Sequence, residues 1–204
     1  MRTSLLVPAL FALLLVACRA ERASQVAARA DSVAAPVGII DSILPIAELQ
    51  RRFRAGLTEP TALGGRFASS RESLVAALLD AVRASDSVAV AAMTLDRAEF
   101  SWLYYPAHIY ARPPYELAPA TFWTLIEGGS DKGKRRLLQR LGGIDFTYRG
   151  MQCEASTNVR APVQEWQNCR VKLLLGGAPQ ELRIFGSIVA LEGRYKFAGY
   201  ANDF

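Results

Sequence analysis

The sequence predicts an α+β fold, with helices first and an antiparallel sheet after them. Two patterns carry that expectation. Apolar residues recur at helical spacing through about Leu141, and after Gly143 the period changes to alternation along short segments joined by tight turns. Size and composition agree, since 204 residues, 51% hydrophobic and 21% charged, suit one domain with a core of its own.

At the start of the chain, Arg2 precedes an apolar run from Leu5 to Ala17. A bilayer-spanning helix needs about 20 apolar residues, so this run has instead the proportions of a secretory signal over residues 1–17. Leu15-Val16-Ala17-Cys18 resembles the lipobox of bacterial lipoproteins: a branched apolar residue, small residues, then an obligatory cysteine. The resemblance implies a diacylglyceryl group on the Cys18 thiol, cleavage just before Cys18, and commonly acylation of the new amino group. Each buried methylene contributes about 0.8 kcal/mol, and two or more chains hold a protein stably at a membrane. Arg19 stands where an aspartate would favour retention in the inner membrane. The expected address is therefore the bacterial cell envelope, lipid-anchored, at the outer membrane facing the periplasm.

Residues 18–36 lack large apolar side chains and read as the lipidated cysteine and a flexible tether. Loss of the signal removes one positive side chain, Arg2, and takes the formal charge from +5 to +4. So mild and dispersed an excess argues against nucleic acid as a partner.

The single body, residues 37–204, opens with Ile46, Leu49 and Phe53 at helical spacing after Pro45, and Gly56 is placed to end that helix. Ser69 and Glu72 stand at capping-box spacing before an apolar stripe of Leu74, Val75, Leu78, Leu79 and Val82. Asp86–Met93 reads as a short helix, and Thr94 as the cap of another running from Leu95 to about Leu103.

Tyr104–Tyr115 concentrates Tyr104, Tyr105, His108, Tyr110 and Tyr115 among three prolines and predicts a fixed, extended loop. Tyrosines offer broad apolar faces with a polar tip, so the segment is either a pocket lip or recognition surface, or a loop pinned over the core by its rings. Helical spacing resumes from Pro119 with Phe122, Trp123 and Ile126. A break is expected at Gly128-Gly129, before a helix over Asp131–Leu141. That helix carries Lys132, Lys134, Arg135, Arg136 and Arg140, either a contact for anionic lipid or polymer or a solvated face.

Beyond Gly143, Ile144, Phe146 and Tyr148 alternate with polar residues, and a loop is expected over Glu154–Asn168. Cys169, Val171 and Leu173 form the next strand, Leu182 to Ile188 another, and Tyr195–Phe197 the last. With Cys18 lipidated, Cys153 and Cys169 remain, and an even remainder in an exported protein reads as a disulfide. A loop of that length gives about 3 kcal/mol of crosslink stabilisation in the chain-entropy model; two free buried thiols are the alternative.

Several chemistries lack their residues. One histidine excludes metal sites built from several imidazoles, and no metal or other cofactor is expected. No Gly-x-Ser-x-Gly elbow is present. Gly128, Gly133 and Lys134 match most of a P-loop, but Arg135 occupies the Ser/Thr position, so nucleotide is not an expected partner. A general base could be His108, Asp96, Glu99 or Asp145, although no residue can be assigned a catalytic role.

Glu72–Phe100, especially Leu74-Val75 and Leu78–Asp86, and the closing Gly193–Tyr200 resemble the NTF2-like (SnoaL-like) superfamily. The resemblance implies helices packed into the concave face of a bent sheet, forming a cone whose mouth can hold a small molecule. Some relatives are isomerases or dehydratases; others are catalytically inert binding or assembly modules. Two functions follow as expectations. One is a lipid-anchored accessory or binding module for an apolar ligand or a partner protein of the envelope. The other is a small isomerase- or dehydratase-type enzyme acting on a hydrophobic substrate.

Overall fold

The computed structural model describes residues 44–203. The signal segment, Cys18 and the tether lie outside the described residues. Helices precede a five-stranded antiparallel sheet, so the architecture is α+β. None of the described helices is long and apolar enough to cross a membrane.

Helix α1, Ile46–Arg54, follows Pro45 and buries Phe53, whose ring meets Phe100 edge-on at 5.9 Å. Arg54 fastens its end by donating to the Ser101 carbonyl at 2.7 Å. Helix α2, Arg71–Arg83, buries the predicted stripe from Leu74 to Val82. Its capping box lies one residue later than the sequence suggests. Ser70 Oγ accepts the Ser73 N–H, and Ser73 Oγ accepts the Ser70 N–H, both at 3.0 Å. A hydroxyl thus does the work that the motif ordinarily gives to a carboxylate. Helix α3, Ser87–Ala92, is capped by Asp86.

The next turn, α4 (Arg97–Glu99), is capped by Asp96 and not by Thr94. Asp96 accepts the Glu99 N–H and Glu99 accepts the Asp96 N–H, each at 2.8 Å. Thr94 instead donates its hydroxyl to the Ala91 carbonyl. A π-helical turn, Phe100–Tyr104, follows, and then two 3-10 turns, Tyr105–Ala107 and Ile109–Ala111. The segment expected as an extended loop is therefore largely coiled. Pro106 lies in the first turn of a 3-10 helix, where its missing N–H removes no bond.

Helix α5, Pro119–Leu141, runs without a break through Gly128-Gly129. Paired glycines cost a helix about 1 kcal/mol each against alanine. Burial of Ser130, Gly133, Leu137 and Leu141 along the same helix holds it across them. Gly133 is where it touches the chain end, since a Cβ there would collide with the Tyr200 carbonyl. At Gly128 and Gly129 an added Cβ meets nothing within 4 Å.

In the sheet, β2 (Gln164–Leu175) is central and longest. Strand β1 (Phe146–Ala155) covers one edge, and two short strands share the other end to end. Strand β3 (Ala178–Leu182) pairs with Val171–Leu175, and β4 (Ile188–Leu191) pairs with Gln164–Trp166. Strand β5 (Arg194–Phe197) closes the sheet outside β4. The expected single strand from Leu182 to Ile188 is thus two strands, each on its own stretch of β2. The expected loop over Glu154–Asn168 shortens to residues 156–163, because both flanking strands continue into it. A disulfide joins Cys153 to Cys169 beside a register shift between β1 and β2.

Two apolar clusters flank the sheet's centre. Helices α2, α3 and the end of α5 pack with Phe146, Val171, Ile188 and Phe197. Phe53, Phe100, Tyr104 and Tyr105 pack with Val163, Val189 and Leu191. Every residue of β4 is buried; Ile188 enters the first cluster and Val189 and Leu191 the second, as in a strand covered on both faces.

Candidate functional site

A cavity of about 470 Å³ opens between the 104–110 coil, helix α5, the first half of β2, the segment before β4 and the residues after β5. Phe122, Leu125 and Ile126 of α5 give it an apolar wall, and Tyr104, His108, Glu165 and Ser187 give it a polar cluster. That mixture, apolar lining with a few convergent polar groups, is the usual make-up of a small-molecule site.

Each polar residue is placed by its own element. Tyr104 ends the π-helical turn, a distortion that shifts side chains out of α-helical register and recurs at functional sites. It is 3% exposed, and its hydroxyl donates to Glu165 Oε1 at 3.0 Å. Glu165, 7% exposed near the start of β2, also accepts from Ser187 Oγ at 2.8 Å on the same oxygen. Its Oε2 is buried without a hydrogen-bond partner. A hydrogen bond to a charged group contributes roughly 1.5–3 kcal/mol, so these two hydroxyls offset part of the desolvation of the carboxylate.

His108 is buried at 4% exposure, and its ring packs on Phe122 and Tyr110 at 4.8 Å each and on Tyr104 at 5.3 Å. Its backbone neighbours are pinned to the loop after β1. Ile109 N–H donates to the Asn158 carbonyl at 2.7 Å, and Arg160 N–H donates to the Ala107 carbonyl at 3.1 Å. His108 Nδ1 accepts the Tyr110 N–H at 3.2 Å, which puts the proton of the neutral ring on Nε2.

Electrostatics fix the protonation of two of these groups. Burial pushes the Tyr104 hydroxyl well above the ordinary tyrosine value, and the adjacent Glu165 charge adds to the rise. Tyr104 is therefore a hydrogen-bond donor throughout the physiological range. Burial lowers the His108 pKa, with Arg112 assisting and Glu165 opposing, so the ring is neutral at pH 7. The cluster thus presents a carboxylate, a phenol held protonated and a neutral imidazole. It can fix the polar end of a ligand against an apolar wall, and it can accept or return a proton.

Of the five residues in the tyrosine-rich segment, Tyr104, His108 and Tyr110 line the cavity. Tyr105 belongs to the second core cluster, and its hydroxyl donates to the Leu117 carbonyl at 2.7 Å. Burial raises its pKa to about 12. Tyr115 is 58% exposed and meets Tyr110 edge-on at 5.8 Å. Among the acids considered as bases, Asp96 caps α4, Glu99 pairs with Lys196, and Asp145 is exposed. Among the described residues no group of three or more His, Cys, Asp or Glu side chains is arranged to hold a metal. Cys18 lies outside the described residues.

Glu165 and Ser187 were not legible as site residues. The signal for Glu165 was present: counting back in steps of two from Leu173, Val171 and Cys169 reaches Gln167 and then Glu165, a charge in the inward phase of a strand. Ser187 has no comparable signal, since it follows the interruption between β3 and β4. No protein-family model, curated protein or solved structure matches this chain.

Proposed function

We propose that this is a lipid-anchored envelope protein whose body is a binding module for a small, largely apolar ligand. The observation that carries the reading is the cavity itself, with Phe122, Leu125 and Ile126 opposite the Tyr104–Glu165–Ser187 cluster. The lipobox-like Leu15-Val16-Ala17-Cys18 supplies the anchor in this reading, and residues 18–36 give the body reach from the outer-membrane surface into the periplasm. The likeness to NTF2-like domains belongs to the same proposal, with the sheet as one wall of a ligand-holding cone.

Two experiments test it. Saturable, one-to-one binding of the neutral fluorophore N-phenyl-1-naphthylamine is expected, and Gly129→Trp, which places an indole where the cavity lining has open space, should abolish it. Binding that never saturates, or that Gly129→Trp leaves intact, would remove the cavity as the site. Intact mass of the mature protein should show a diacylglyceryl group on Cys18, and an unmodified terminus would remove the anchor.

A second reading is favoured by one contact, the 3.0 Å approach of the Tyr104 hydroxyl to a carboxylate beside a neutral imidazole. In it, the cavity is the active site of an isomerase- or dehydratase-type enzyme. Deuterium from heavy water should then enter the α-carbon of a hydrophobic ketone such as 2-decanone, and Glu165→Gln should stop it. Absence of exchange above the uncatalysed rate leaves the binding module alone.

A further inference from the structure

A carboxylate taken out of water needs a cation or a full set of donors. Glu165 has neither. Both hydroxyls that reach it, from Tyr104 and Ser187, converge on Oε1, and Oε2 has no partner. Among the described residues no lysine, arginine or histidine forms an ion pair with it. Arg183 lines the same cavity, but its Nε donates to the Ala201 carbonyl at 3.2 Å.

The surroundings of Glu165 favour positive charge as well. Tyr104, His108, Tyr110 and Phe122 line the cavity with ring centroids 4.8 to 6.3 Å apart. Aromatic faces attract cations, most strongly when the cation is desolvated. Glu165 lines the same cavity as these rings, so a cation there meets the carboxylate and the aromatic faces together.

We infer that the ligand carries a cationic nitrogen that pairs with the Glu165 carboxylate while its hydrocarbon part lies along Phe122, Leu125 and Ile126. The ligand class is an amphiphilic amine. This rests on the cavity being a ligand site, and it adds the charge and position of the ligand's polar end.

The test is calorimetric titration of the full chain with three probes that share a 2-phenylethyl group: 2-phenylethylamine, 2-phenylethanol and 3-phenylpropanoate. The amine should bind at least about tenfold more tightly than either of the others, the difference expected of one charge-assisted contact. Glu165→Gln should remove the amine's preference over the alcohol. Ser187→Lys, which sets an ammonium of the chain's own beside Glu165, should do the same, and it decides the matter if Glu165→Gln does not fold. If the alcohol binds as well as the amine, the inference is overturned while the cavity remains a binding site. Tightest binding of 3-phenylpropanoate overturns it in favour of recognition through Arg183. Survival of the amine preference in either variant overturns it as well. If none of the three binds, the inference and the binding reading fall together.

Discussion

Among the described residues two glutamates are buried, and their surroundings could hardly differ more. Glu99 is 1% exposed, and both its oxygens are engaged. Oε1 accepts the Gly64 N–H at 2.6 Å, and Oε2 accepts the Asp96 N–H at 2.8 Å and Lys196 Nζ at 2.7 Å. It joins α4, the loop before α2 and β5 through a neutralised, fully bonded group. Glu165 is nearly as buried but meets only hydroxyls, keeps one oxygen unbonded and stands at a cavity. A protein that can satisfy one buried carboxylate so fully has the means to satisfy another. In the proposed reading, a ligand completes the bonding that Glu165 lacks.

The largest effect should come from Lys196→Met. It strands Glu99 in the core without its cation, and loss of one partner of a buried pair costs about 3–5 kcal/mol. Urea unfolding of the variant should show that loss, and adding Glu99→Gln should recover much of it. Next in size is Tyr104→Phe, which removes one of the two donors on Glu165 and should cost about 1.5–3 kcal/mol by the same measurement. Glu165→Gln should change stability by less than about 1 kcal/mol, because its amide oxygen still accepts both hydroxyls and no buried charge remains. If Glu165→Gln proves as damaging as Lys196→Met, the two carboxylates are alike and the division between lock and site collapses.

The smallest effect is a pH dependence centred on His108, the only histidine of the chain. Its pKa is lowered by burial, so the unfolded chain takes up the proton first as pH falls below about 6.5. The stability that depends on a neutral ring is complete above that pH and is lost as pH drops through the lower, folded value. The single imidazole resonance should titrate below the ordinary histidine midpoint, and the urea midpoint should fall between pH 7.5 and pH 5 by more in wild type than in His108→Gln. Identical losses in the two proteins would mean that His108 is not shielded from the proton.

Much of the α+β layout was legible because periodicity is set by burial, and burial of Leu74 to Val82 or of Val171 and Leu173 is a local pattern. What was not legible depends on distant partners. Helix α5 survives Gly128-Gly129 because Gly133, four residues on, is pressed against Tyr200, which no window of sequence reveals. The Thr94 cap failed because Asp96 competes for the same helix start and offers a carboxylate with a reciprocal bond from Glu99. Three of the cavity's lining residues lie in the tyrosine-rich segment that drew notice by composition. Glu165 was hidden inside an apparent loop, and the Lys196 partner of Glu99 is 97 residues away.

One feature of α5 bears on how this cavity could change over time. Gly129 lines it and is exposed, and an added Cβ at that position touches nothing. Alanine there would favour the helix by about 1 kcal/mol, so glycine is the less stable choice for the backbone. Larger side chains at that one position would narrow the entrance by degrees while leaving the Glu165 cluster untouched. In the proposed reading, the size of the ligand can therefore be tuned separately from the chemistry that holds it, at one of the three glycines that weaken α5.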